Sequence, residues 1–81
     1  MAWTVYVLKC ADKSLYTGIT LDLERRLEEH ATGKGAKYTI HRGPFTVVFT
    51  EYHETRGQAL KREAEIKAMT REEKLRLIGS R

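Results

Sequence analysis

Two tyrosines, an arginine, a histidine and a glutamate in this 81-residue chain carry side chains suited to phosphate chemistry. Tyr6 and Tyr16 stand in the stretch VYVLKCADKSLYTG, and the polar turn Ala11-Asp12-Lys13-Ser14 between them lets the segment fold as a hairpin with the rings side by side. Their hydroxyls, the Arg26 guanidinium, the His30 imidazole and the Glu63 carboxylate offer hydrogen-bond partners, a fork shaped for phosphate, a titratable base and a hard oxygen ligand for Mg²⁺ or Mn²⁺. Hydrolysis of a phosphodiester needs a positioned water, a base for its proton, and positive charge where the pentavalent oxygens develop. The five side chains are chemically able to supply all three. The bland alternative is two core aromatics beside ordinary surface charges.

The elements that must position them follow from pattern. Trp3 to Lys9 is almost continuously apolar, β-branched or aromatic, which predicts an interior strand covered on both faces. Leu15 to Ile19 predicts a second strand, in which Gly18 marks a bulge or a place where something approaches the backbone closely. Thr20 is the expected N-cap of a helix running to about Ala31, with Asp22 and Glu24 in the first turn where the helix dipole favours negative charge. On that helix Leu23, Leu27 and Ala31 form one stripe. Arg26 and His30 lie one turn apart on its border with solvent, while Arg25, Glu28 and Glu29 face away.

Thr32 to Arg42 has two glycines, several basic residues and no sustained period, so it reads as a loop. Its Lys34, Lys37, Tyr38 and Arg42 suit a phosphate backbone, with a ring available for stacking; a solvated basic loop is the alternative. Pro44 opens a third strand to about Tyr52, with Phe45, Val47 and Phe49 alternating against Thr46, Val48 and Thr50. Thr55 and Gln58 form a capping box for a helix to about Met69, and Thr70 with Glu73 repeats the signature for a last helix over Arg71 to Leu77.

The second helix carries the anomaly. With Ala59 at zero on the wheel, Ile66 lies at roughly −20°, Glu63 at roughly 40°, Leu60 at roughly 100° and Ala64 at roughly 140°, which sets Glu63 inside the apolar stripe. Lys61, Arg62 and Glu65 occupy the opposite side. A carboxylate turned inward costs several kcal/mol unless paired, neutralised or bound to a cation. Lys67, one turn along, offers a plain intrahelical pair; the same two residues could equally flank a metal site.

The order of elements, β-β-α-β-α-α, predicts an α+β domain spanning 1–81: a three-stranded antiparallel sheet, spatial order 2-1-3, packed against helices. The single cysteine, Cys10, allows no internal disulfide and favours a reducing cytoplasm and a buried thiol. No apolar run approaches a membrane span, and the start MAWTVYVLKC lacks a basic leader before its apolar stretch. A net charge of +4 and a pI near 9.4 suit a polyanionic partner.

On these residues the chain resembles the GIY-YIG nuclease domain superfamily, in particular its small stand-alone, UPF0213-type members. Thr4-Val5-Tyr6 stands where the family has its GIY triad, and Tyr16-Thr17-Gly18 where it has YIG. GITLDLERRLEEH looks like the arginine-bearing helix, ALKRE ending at Glu63 like the segment with the single metal-binding glutamate, and the Gly-Lys-Gly-Ala-Lys-Tyr run and Arg42-Gly43-Pro44-Phe45 like the stand-alone group. The resemblance implies a DNA endonuclease that hydrolyses phosphodiester bonds by in-line attack of water. Tyr6 and Tyr16 would orient the water or the phosphate, with the base among them. Arg26 would stabilise the phosphorane, His30 would act as proton acceptor or hydrogen-bond partner, and Glu63 would hold one Mg²⁺ or Mn²⁺. A separate protein supplying DNA affinity is the further partner implied. The first triad keeps only its tyrosine, threonine replaces isoleucine in the second, and the chain has no asparagine where many family nucleases carry one late in the domain.

The residues by themselves leave two other readings open. One is a nucleic-acid-binding module of the same fold without catalysis, suggested by the basic loop, the pI and the missing asparagine. The other is a small interaction domain whose tyrosines are merely packed.

Overall fold

The computed structural model describes residues 2–35, 39 and 42–79. The elements run β1 (Trp3–Lys9), β2 (Leu15–Thr20), α1 (Leu23–Ala31), β3 (Thr46–His53), α2 (Arg56–Lys67) and α3 (Arg71–Gly79). The strands form one antiparallel sheet in the order β2-β1-β3. The expected architecture is therefore the observed one, with the most apolar strand in the middle.

The pleat of β1 divides the core. Val5 and Val7 point to one face, where Ala59 and Ile66 of α2 and Phe49 of β3 close around them, with Leu77 and Ile78 of α3 packed alongside. Tyr6 points to the other face, where it meets Arg26 and His30 of α1. Helices thus cover both faces of the sheet, and β2 forms one free edge between them.

Local signals set most of the boundaries. Thr55 accepts a hydrogen bond from the Gln58 backbone N–H while the Gln58 side chain accepts from the backbone N–H of Thr55, so the capping box at the start of α2 is complete. Thr70 and Glu73 bond reciprocally in the same way at α3. At α1 the expected cap moves: Asp22, not Thr20, accepts from the Arg25 backbone N–H. Thr20 instead accepts from the Asp22 backbone N–H, closing the turn that precedes the helix. A carboxylate at the N-cap also meets the positive end of the helix dipole, which favours it over the hydroxyl.

β3 departs from simple alternation. It begins at Thr46, two residues beyond Pro44, and its register against β1 steps from Val7↔Phe49 to Leu8↔Val47, leaving Val48 as an extra residue. A bulge of this kind inverts the alternation beyond it. Phe49 consequently belongs to the α2 and α3 side, whereas Val47 and Phe45 border Leu27 and Ala31 on the α1 side. The three do not share one face. Replacing Thr55 by alanine removes the cap that starts α2, and a loss of about 1 kcal/mol in urea unfolding is expected.

Candidate active site

The site is built from the middle of β1 outward. Tyr6 is fully buried, and its hydroxyl lies 3.0 Å from Nε2 of His30, whose Nδ1 lies 2.8 Å from Oγ1 of Thr39. Arg26 donates from Nε to the same tyrosine hydroxyl at 3.4 Å and from Nη1 to Glu29 at 3.2 Å. Tyr16 lies near enough to Arg26 to favour its charged form. One strand, the adjacent edge strand, one helix and one loop residue thereby converge on two phenols and a guanidinium.

The rings are packed as well as bonded. Tyr16 meets His30 edge to face with centroids 5.2 Å apart, Tyr6 and Tyr16 lie 6.3 Å apart, and Phe45 closes the far side of the imidazole at 5.8 Å. Two glycines make room for them. A Cβ added at Gly18, which faces Tyr6 across the strand pair, would sit 2.6 Å from the Tyr6 hydroxyl oxygen; one added at Gly35 would strike Nδ1 of His30. The close approach expected at Gly18 is thus made by Tyr6 itself.

Burial and charge set the protonation states. Burial pushes the Tyr6 phenol up to about 12, and the negative charge of Glu63 adds to that rise while the Arg26 hydrogen bond opposes it. The hydrogen bond to Tyr6, helped by Glu29 and Tyr16, raises the Arg26 guanidinium above its ordinary value despite partial burial. Burial, together with the Arg26 charge, lowers the His30 imidazole below its usual range, with Glu29 partly opposing. Near neutral pH the cluster therefore holds a protonated phenol, a neutral imidazole and a cationic arginine.

Glu63 sits on α2 with its side chain 19% exposed, and its carboxylate lies 3.4 Å from Nζ of Lys67, which is 54% exposed. The intrahelical pair expected as the plain reading is present. The carboxylate is nonetheless near enough to the cluster for its field to be felt at Tyr6. The inward stripe of α2 is narrower than the wheel suggested: Ala59, Glu63 and Ile66 turn in, while Leu60 and Ala64 are exposed. Arg62, expected on the outer side, turns back to the sheet and donates from Nε to Glu51 of β3 at 2.9 Å.

The remaining expected residues fall elsewhere. Arg42 pairs with Asp12, and its carbonyl accepts from the Ala11 backbone N–H, which ties it to the turn between β1 and β2. Lys34 is exposed beyond the end of α1, where its backbone N–H reaches the Glu29 carbonyl. Lys37 and Tyr38 lie outside the described residues. His30, expected at the solvent border of α1, is instead 2% exposed and the only buried residue of that helix, because both ring nitrogens find partners. Thr39, the second of those partners, went unrecognised in a loop read for its cations and its tyrosine ring; a glycine at 35, where a Cβ would strike the imidazole, was the available signal.

A three-stranded sheet of this order, with paired tyrosines on adjacent strands, arginine and histidine on the first helix and glutamate on the second, is the arrangement of a known catalytic domain. Residues 2–76 match the GIY-YIG catalytic domain, and the chain belongs to that family. It is 54% identical over 77 residues to a UPF0213 protein of Staphylococcus aureus, covering 95% of this chain and 94% of that one. The solution structure of the UPF0213 protein of Bacillus halodurans is 44% identical, with a TM-score of 0.66 over 100% of this chain and 86% of the other. A solution structure from E. faecalis is 42% identical with the same TM-score of 0.66, covering 95% and 83%.

Two outcomes test this geometry. Gly18→Ala forces its methyl group against a tyrosine that is fully buried, and should destabilise the fold by about 1 to 3 kcal/mol in urea unfolding. For His30 the folded value lies below the ordinary 6.5, so between the two the unfolded chain binds more protons. The stabilisation is complete above pH 6.5 and declines as pH falls through that window. In unfolding measured across that window, His30→Gln should lack this part of the acid loss.

Proposed function

We propose that this protein is an endonuclease that hydrolyses DNA phosphodiester bonds by in-line attack of water, with Tyr16, Arg26 and Glu63 at the reacting phosphate. The observation that carries the reading is Arg26, a cation bonded to the buried Tyr6 hydroxyl and still part-exposed, with the Glu63 carboxylate near enough for its charge to bear on the same phenol. Membership of the GIY-YIG catalytic domain family supports it.

Exposure divides the work. Tyr6 and His30 are shut off from solvent, so as they stand they cannot touch a substrate. Their hydrogen bonds hold the Arg26 guanidinium in place, and His30 serves as the partner of Tyr6. Tyr16 is half-buried on the edge strand and is the phenol that can hydrogen-bond to a water and orient it at a phosphate. Arg26 lends its charge to the pentavalent phosphorane, the point in the reaction where negative charge is greatest.

Glu63 fits a single divalent cation. Among the described residues no group of three or more acidic, histidine or cysteine side chains comes together, which disfavours an all-protein cage. Mg²⁺ and its like keep several waters and bind through one or two carboxylates plus substrate phosphates; the part-exposed Glu63 carboxylate meets that requirement once the cation takes the place of the Lys67 ammonium. When bound, Mg²⁺ or Mn²⁺ would supply Lewis-acid charge to the phosphoryl oxygens.

Lys34, Lys37, Tyr38 and Arg42 are proposed to contact the DNA backbone, and the pI near 9.4 favours such contacts. The proposed setting is a reducing cytoplasm, supported by the buried free thiol of Cys10; among the described residues no helix is long and apolar enough to cross a membrane. Plasmid DNA incubated with Mg²⁺ or Mn²⁺ should be nicked by the wild type. Arg26→Ala and Glu63→Gln should each slow nicking by on the order of 100-fold or more. Equal nicking by all three proteins would refute the assignment.

A further inference from the structure

Four cationic side chains are half-buried among the described residues: Arg26, Arg42, Arg62 and Lys74. Arg26 is held by Tyr6 and Glu29, Arg42 by Asp12, and Arg62 by Glu51 and Glu65. Lys74, in the first turns of α3, makes no side-chain hydrogen bond or ion pair with any described residue.

Lys74 lines a cavity of about 360 Å³ on the β2 edge together with Leu15, Tyr16, Thr17 and Lys67. Three features of this notch matter. Two of its walls are lysines, from α2 and α3, and no carboxylate lines it. Tyr16 borders it while also meeting Arg26 and His30 of α1. Lys67 is the residue that neutralises Glu63. The notch therefore adjoins the proposed reacting site on the side away from α1, and of its two lysines Lys67 is paired with Glu63 while Lys74 has no counter-charge.

We propose that this notch is a second phosphate site, gripping a backbone phosphate neighbouring the scissile one, with Lys74 as its principal contact and Lys67 beside it. The proposal rests on the nuclease reading of Tyr16, Arg26 and Glu63 for its place on the substrate. The DNA strand would then run across the β2 edge, from the α1 side to the α3 side, with Tyr16 beneath the reacting phosphate. Lys74 and Lys67 bind and align; neither takes part in bond making.

Binding of a short fluorescein-labelled DNA duplex in EDTA, where the divalent cation is withheld, tests the notch apart from cleavage. Each phosphate contact contributes about 0.9 to the slope of log affinity against log salt. Lys74→Gln should reduce the slope by about that amount and weaken binding about tenfold at low salt, while Lys74→Arg should restore both. Lys61→Gln, on the exposed face of α2, sets the loss expected from removing any surface cation. A Lys74→Gln protein that matches the wild type, or that loses no more than Lys61→Gln, would overturn the proposal. A wild type that cleaves plasmid while Lys74→Gln is silent removes the notch and leaves the nuclease. A wild type that never cleaves but shows the Lys74-dependent slope removes the nuclease and leaves the notch.

Discussion

The hydrogen bond between the Tyr6 hydroxyl and His30 Nε2 is the contact on which the α1 side of this protein depends. It lies between a central strand and the first helix, within a core too small to tolerate an unpaired polar group. Each partner is satisfied only because the other is present: Tyr6 also receives Arg26, and His30 also meets Thr39. No buried side-chain polar atom is left without a partner among the described residues. A polar chain of this kind fixes the rotation of α1 against the sheet, where an apolar contact would permit several packings.

Arg26 gains its position from that constraint. Bonded to the Tyr6 phenol and to Glu29, it is held at the edge of the sheet with its guanidinium still reachable. The cluster thereby separates anchoring from exposure. Tyr6, His30 and Thr39 are buried supports, and Tyr16 and Arg26 are the groups that meet solvent. Preorganisation of this sort lets a cation stabilise developing charge without rearranging when the charge appears.

Sequence pattern disclosed the architecture well because its determinants are local. The apolar run of β1, the turn after Cys10 and the two capping boxes each act over a few residues, and all appear where their chemistry places them. The inward turn of Glu63 was legible for the same reason, since a helix wheel is a local property. What was not legible depends on contacts between distant segments. The burial of His30 is decided by Thr39 and Phe45, which no periodicity links to α1. The bulge at Val48 reverses the face of Phe49 through its pairing with β1, and Arg62 turns inward because Glu51 waits on β3. The place of Lys74 beside Tyr16 needs three elements to be in position before it exists.

Helices on both faces of the sheet have a consequence for assembly. The groups proposed to act on one phosphate come from α1 on one side and α2 on the other, and only the edge strand β2 lies between them. Neither the β1–β2 hairpin nor any single helix of the chain contains both halves. Local contacts can create the hairpin or an isolated helix, but the complete constellation requires the long-range closure of α2 over the sheet. A chain that has been made only as far as β3 accordingly holds Tyr16 and Arg26 without Glu63.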